Sequence, residues 1–405
     1  MKMNIVMKVL VLLFVCLMAY SCHSRNHADS PEVFSVDTLF EVGNSLKLYL
    51  SDGERPTSGH VRYYEENGKS YLVLGNEGQK TIRVYDFITG KPIDEVGLNA
   101  GEGEFYTHHP DTAFVIGRSK GKASVNAWIE GAKVSLDIPI HVRKGHIEQF
   151  PRCWKDGAAH VNGKWYFSCF RMGEYPDEMK SGKERFPLLE LDLDTKNHRF
   201  VGAYPDVYAS NNMGTMNYWI PELCRGNNDM VLVGFKASPE MLVYSPATGE
   251  SRFESVKSVY ADTIPLPLTE KGRDYFVESD SYYYFAQYAH YGPISYDPWK
   301  KIFYRFVGIG LDDWDLEPSP FLQDQKKWSV MVFDTSFRKL GEQFLGDAYQ
   351  VDFHFVSPDG LFLLNKGKGE NVAEYTLFKY NKESYDETWV DIDAAFLLFV
   401  FFEIR

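Results

Sequence analysis

Residues 61–97 read VRYYEENGKSYLVLGNEGQKTIRVYDFITGKPIDEVG. An Asn-Gly pair at 67–68, a polar loop around 76–80 and a Thr-Gly pair at 89–90 cut this stretch into four short runs rich in β-branched and aromatic residues. Asn and Gly tolerate the positive φ of tight turns, so the pattern predicts four antiparallel strands joined in sequence. Four such strands make one propeller blade, which cannot bury both of its faces alone. If that reading holds, the unit must recur along the chain.

It does recur. Second strands that follow a turn appear at Ala113–Gly117 after HHPD, Trp165–Phe170 after VNGK and Met230–Phe235 after RGNND. Two more stand at Ile302–Val307 after YDPWKK and at Leu361–Asn365 after SPDG. Third strands leading into a turn read RVYDFITGK, AWIEGAK, LELDLDTKN, LVYSPATGE, MVFDTSFRK and LFKYNKES. Both series count six and keep register with each other at a spacing of roughly 42 to 72 residues, the scale of propeller blades. The expected fold is therefore all-β: a six-bladed β-propeller of four-stranded blades, occupying residues 61–393. The last copy has a doubtful fourth strand, and Val33–Leu50 is strand-like sequence outside any copy. That segment is expected to close the ring so that no sheet edge is left open. The competing donor is the apolar tail AAFLLFVFFEIR at 394–405.

The chain has 405 residues and a net charge of −13, which speaks against a nucleic-acid partner. Aromatics form 16% of it, Tyr and Phe far ahead of Trp, a bias that favours strands. The opening MKMNIVMKVLVLLFVCLMAYSC has basic residues Lys2 and Lys8, an apolar run from Val9 to Met18 and small residues before Cys22. This is the pattern of a signal peptide over 1–21, with Cys22 as the lipidation site of a bacterial lipoprotein and 22–32 as its linker. The single domain then spans 33–405. Cys153, Cys169 and Cys224 remain, an odd number without metal or redox spacing, best read as small buried hydrophobes.

Four elements, the signal with Cys22, AYPDVY at 203–208, YGPISYDPWKKIFYRF at 291–306 and YTLFKYN at 375–381, resemble an uncharacterised family of Bacteroidetes envelope lipoproteins known as a domain of unknown function. The likeness spans about Val33 to Asn381. It implies a six-bladed, TolB-like propeller in the cell envelope and carries over no catalytic residues.

Loops joining second to third strands, and fourth strands to the next blade, gather on one propeller face, where binding is expected. The start of each second-to-third loop carries Asn76, Arg118, Arg171, Lys236, Arg305 and Lys366. Five basic groups converging at a channel mouth would favour a carboxylate, sulfate or phosphate. The plainer alternative is that Lys and Arg snorkel at strand ends. Arg305 falls out of phase, only three residues into its strand, and is expected to pair with an acid of a neighbouring blade instead. The acidic loop GIGLDDWDLEPSPF at 308–321 lacks the glycine spacing of a calcium loop, and its Trp314 is placed to stack on a sugar or to anchor the loop. Glu148, Glu222 and Asp352 sit on candidate inner strands, where two facing carboxylates would be needed for glycoside hydrolysis. His108 and His109 lack a third ligand. No cofactor or metal is called for by these patterns.

Together these features predict a membrane-tethered binding or scaffold propeller for a glycan, peptide or envelope protein, an anionic glycan being the small-molecule partner that the basic residues favour. The alternative is a polysaccharide hydrolase or lyase using the inner-strand acids. An outer-membrane lipoprotein is expected, on the periplasmic side rather than the cell surface, because no acidic cluster follows Cys22.

Overall fold

The computed structural model describes residues 39–51, 54, 60–119, 121–140, 142–143, 146–153, 157–172, 186–208, 216–261, 284–311, 325–367 and 371–381. Cys22, Trp314 and the apolar tail at 394–405 lie outside the described residues. The repeat read from the sequence is a six-bladed propeller of antiparallel sheets. Blade 1 comprises Val61–Glu66, Lys69–Asn76, Thr81–Asp86 and Pro92–Gly97; blade 2 comprises Glu104–His109, Thr112–Ser119, Lys122–Ile129 and Ala132–Pro139. In blade 3 the inner strand comes in two pieces, His146–Arg152 and Ala158–Val161, which pair end to end along Lys164–Met172. Leu188–Leu191 and His198–Val201 complete it. Blade 4 is Glu222–Arg225, Val231–Phe235, Ser238–Tyr244 and Ser251–Ser255; blade 5 is His290–Asp297, Ile302–Gly308, Trp328–Asp334 and Lys339–Gly346.

Among the described residues, blade 6 has three strands of its own, Tyr349–Ser357, Gly360–Asn365 and Val372–Tyr380. Its outer strand is Phe40–Tyr49, paired antiparallel with Val372–Tyr380 from Phe40 opposite Tyr380 to Tyr49 opposite Val372. The N-terminal segment therefore closes the ring, as its strand-like sequence led us to expect. Leu48 is fully buried between the exposed Lys47 and Tyr49, the alternation of a strand with one covered face. Tyr49 N–H also donates to Gly90 O of blade 1 at 3.0 Å. Gly90 has φ +64°, and a Cβ there would fall 1.7 Å from Lys47 O, so the Thr-Gly turn is required for this approach.

Middle strands are buried on both faces because each blade is sandwiched between two others. Ile302–Gly308 and Val231–Phe235 are buried at every position, whereas the outer strand Pro92–Gly97 is exposed throughout. This explains why second strands read as unbroken apolar runs and not as alternating ones. The cores lie between blades, one at each interface. Phe114 with Trp165 belongs to blades 2 and 3, Tyr166 with Phe235 to 3 and 4, and Met241 with Phe303 to 4 and 5. Tyr304 with Leu363, Leu364 with Leu72, and Val73 with Phe105 continue the circle. Cys153, Cys169 and Cys224 are buried free thiols.

Polar clamps accompany the apolar cores. Between blades 3 and 4 the buried Glu190 accepts hydrogen bonds from Lys164 Nζ (2.8 Å), Arg199 Nε (3.0 Å), Tyr166 Oη (3.1 Å) and Tyr244 Oη (3.0 Å). Burial alone would raise its pKa, but the donors from Arg199, Lys164 and Tyr244 outweigh burial and hold it down at about 2, from 4.5. A depressed folded-state pKa contributes stability above the unfolded value and loses it as pH falls through the folded one. Glu190→Gln is therefore expected to cost about 2 to 3 kcal/mol at pH 7, with the deficit shrinking between pH 4.5 and 2. Urea unfolding of both proteins across that range checks it; a deficit independent of pH would contradict the assignment.

Candidate functional site

The inner strands of all six blades surround a cavity of about 670 Å³. Its walls come from the ends of first strands and the turns that follow them, among them Gly226–Asn227 in blade 4 and Pro298–Trp299 in blade 5. This is the propeller end opposite to the one the loop pattern favoured.

Among the described residues, three cations, Arg62, Arg225 and Lys301, line the cavity against one carboxylate, Asp229, which Arg225 engages at 3.1 Å. Arg62 reaches the hydroxyl of the buried Tyr106, whose pKa is raised by burial and partly restored by that guanidinium. His108 and His160 flank the indole of Trp165 at 5.2 and 4.7 Å between ring centres. Burial, and next to it the charge of Arg62, pushes His108 from 6.5 to about 4, and burial followed by Arg225 lowers His160. Both imidazoles are thus neutral at pH 7, leaving the positive charge of this wall to the guanidinium and ammonium groups. Aromatic surface completes the rim. Trp299 is 46% exposed and meets Tyr63 edge-on at 5.7 Å, and Tyr296 also lines the cavity.

Trp299 owes its position to a local turn. The Asp297 carboxylate accepts from the backbone N–H of Trp299 (3.0 Å) and Lys300 (2.8 Å) and from Tyr304 Oη (3.1 Å). An Asp before Pro stabilises such a turn by standing in for a backbone acceptor. Ser295, Tyr296, Pro298, Trp299 and Lys301 all face the cavity, so the stretch 291–306 is a site element as well as a repeat unit.

The six residues read as a basic ring have different fates. Asn76 is buried and bonds Glu54 and Gln79. Lys236 pairs with Glu222 at 2.9 Å, Arg118 is exposed and Lys366 half-buried, and the Arg171 side chain is outside the described set. None of them lines the cavity described above. Arg305 is fully buried between blades 4 and 5. Its Nη1 donates to Pro239 O (2.9 Å) and its Nη2 to Phe235 O (3.1 Å) and Ser238 O (3.0 Å), while the guanidinium lies 4.0 Å from the centre of the Tyr291 ring. It clamps the neighbouring blade through carbonyls, where the sequence suggested an acid; burial lowers its pKa to about 10. Glu222 is committed to Lys236, Asp352 is half-buried away from the cavity wall and the Glu148 side chain is not described, so the cavity does not unite these acids. His108, set aside in the sequence for want of a third metal ligand, is in the wall.

The turn held by Arg305 is also held from the other side. Tyr208 Oη accepts from Ala237 N–H and donates to Tyr218 O, both at 2.9 Å. AYPDVY thus belongs to an aromatic cap in which Tyr208, Tyr218, Trp219 and Phe285 pack over blades 3 and 4.

Residues 143–344 match the family model described as Domain of unknown function (DUF4221). Over that stretch the chain resembles the DUF4221 family. The crystal structure of a DUF4221 family member from Bacteroides vulgatus ATCC 8482 superimposes with a TM-score of 0.65 at 18% identity, covering 84% of this chain and 98% of that one. A protein from Bacteroides fragilis NCTC 9343 described as exported gives a TM-score of 0.49 at 9% identity over 86% and 98%. No curated protein matches. The DUF4221 match covers blades 3 to 5, hence the aromatic cap, the Arg305 clamp and the Asp297 turn. Arg305→Met leaves three buried carbonyls without their donor and is expected to destabilise the protein by about 3 kcal/mol, while leaving ligand affinity unchanged. Thermal unfolding beside a binding titration tests this; unaltered stability with lost affinity would return Arg305 to the ligand site.

Proposed function

We propose that the protein is a binding propeller of the cell envelope whose central channel takes an acidic glycan. The observation that carries this reading is the composition of the cavity wall: Arg62, Arg225 and Lys301 against Asp229, beside the half-exposed Trp299, in a chain of net charge −13. Cations gathered around a concavity focus positive potential and favour a carboxylate or sulfate. An exposed indole at the rim offers a flat apolar face to a sugar ring. Tyr106 and the neutral imidazoles supply hydrogen-bonding groups that orient hydroxyls without adding charge. A peptide or envelope protein read by the same channel would need to present an acidic group.

Tethering completes the reading. Cys22 carries the lipid after removal of 1–21, residues 22–32 serve as the lipid-anchored linker, and the propeller stands at the outer membrane, facing the periplasm. A single lipidated terminus keeps the channel near the envelope polysaccharides where an acidic sugar would be met.

Isothermal titration with a uronic-acid oligosaccharide and a neutral oligosaccharide of equal length tests the central reading. The acidic sugar is expected to bind with an affinity that falls as salt rises. Arg62→Ala should weaken it about tenfold, close to 1.4 kcal/mol, and Trp299→Ala by a similar factor through lost stacking. Equal affinity for both sugars, or indifference to both substitutions, would refute it.

A further inference from the structure

Ser295 and His354 come from inner strands of adjacent blades, 59 residues apart in sequence, and meet at the channel. The Ser295 hydroxyl is 2.5 Å from His354 Nε2, and His354 Nδ1 is 2.6 Å from Val351 O. A carbonyl oxygen only accepts, so Nδ1 carries the proton and Nε2 turns its lone pair to the hydroxyl. His354 is 1% exposed and packs on the Phe306 ring at 4.8 Å, which fixes the plane of the imidazole. Ser295, by contrast, is half-buried and lines the cavity. Both partners sit beside interruptions of the ladder, between Tyr291 and Ile294 in one strand and between Gln350 and His354 in the other. Bulges of this kind re-aim side chains and concentrate near active sites.

We propose that Ser295 and His354 are the nucleophile and general base of an acyl-ester hydrolase centre in the channel, acting on short acyl esters such as those on acidic carbohydrates. Ser295 Oγ attacks the ester carbonyl carbon while its proton passes to His354 Nε2, and the carbonyl electron pair moves onto oxygen. Collapse of the tetrahedral adduct breaks the bond to the alcohol oxygen, which leaves with the proton from Nε2. Water then attacks the acyl-serine, giving a proton to Nε2; expulsion of Oγ returns that proton to Ser295 and releases the carboxylic acid. Ester and water become alcohol and acid with no other reactant. Val351 O, a neutral acceptor, orients the imidazole where a carboxylate does so in a Ser-His-Asp arrangement. The cations of the cavity supply the positive field in which the oxyanion forms.

The proposal rests on the channel being a ligand site, and its test is independent of which sugar binds. The intact protein is incubated with a fluorophosphonate, which phosphonylates activated serines with loss of fluoride, and the adduct is mapped by peptide mass spectrometry. One adduct at Ser295 is expected, absent in Ser295→Ala and formed at least a hundredfold more slowly in His354→Gln, with hydrolysis of p-nitrophenyl acetate lost in parallel. A hydrogen bond of purely structural purpose would leave the hydroxyl inert. Absence of an adduct at Ser295 in the wild-type protein overturns the proposal without recourse to any variant. If the acidic oligosaccharide still binds in that case, the ligand reading stands and the hydrolytic one falls; labelling without sugar binding has the reverse meaning.

Discussion

A blade presents two apolar faces, and the ring covers both only if it closes. The ten-residue strand Phe40–Tyr49, laid along Val372–Tyr380, supplies that closure and so underlies every other interface. Without it, the outer edge of Val372–Tyr380 would be left as an open ladder of backbone groups, and Leu39, Phe40 and Leu48 would withdraw from the cores on either side of blade 6. Pairing the two ends of the described chain costs a long loop closure, offset by burial spread around six interfaces. The channel depends on this in turn, because its wall is assembled from the inner strands of six blades that the closed ring brings together.

Within that frame, the segment 291–306 joins stability to the site. Its first half places Ser295, Tyr296 and Trp299 at the cavity, its Asp297 turn sets the rim, and its second half sends Arg305 outward from the channel into blade 4. Buried arginines are costly unless their donors are matched. Here three carbonyls of one turn and the face of Tyr291 meet the guanidinium. Tyr208 secures the same turn from the aromatic cap. Two of the four elements by which the family resemblance was read, 203–208 and 291–306, converge on this turn, and the second locks blades 4 and 5 together.

Much of the fold was legible because turns are local. Asn67-Gly68, Asn162-Gly163 and Asp359-Gly360 mark first-to-second turns by their tolerance of positive φ, and doubly covered second strands declare themselves as apolar runs. The closing strand was legible by elimination, since sequence outside all six copies had to pair somewhere. The site was less so. Register showed that Arg305 was out of phase, yet its partners are backbone carbonyls, which no side-chain pattern reveals. The expected ring of basic loop residues assumed that binding belongs to the face where second-to-third loops gather; Tyr208, Tyr218, Trp219 and Phe285, from connections between blades, instead pack as the aromatic cap over blades 3 and 4. Arg62, His108, Arg225 and Lys301 come from four different blades, and only closure of the ring makes them neighbours. The contact of Ser295 with His354 depends on bulges in two strands, which alternation of residue types does not foretell.

The account turns on which end of the propeller binds. Amide hydrogen exchange with and without a saturating uronic-acid oligosaccharide measures this directly, since ordering by a bound ligand slows exchange in the strands and turns it contacts. Slowed exchange is predicted in residues 223–230 and 294–301, on the walls of the channel. Slowing confined to the opposite end, around residues 76–80, 117–122, 235–238 and 365–367, would contradict it.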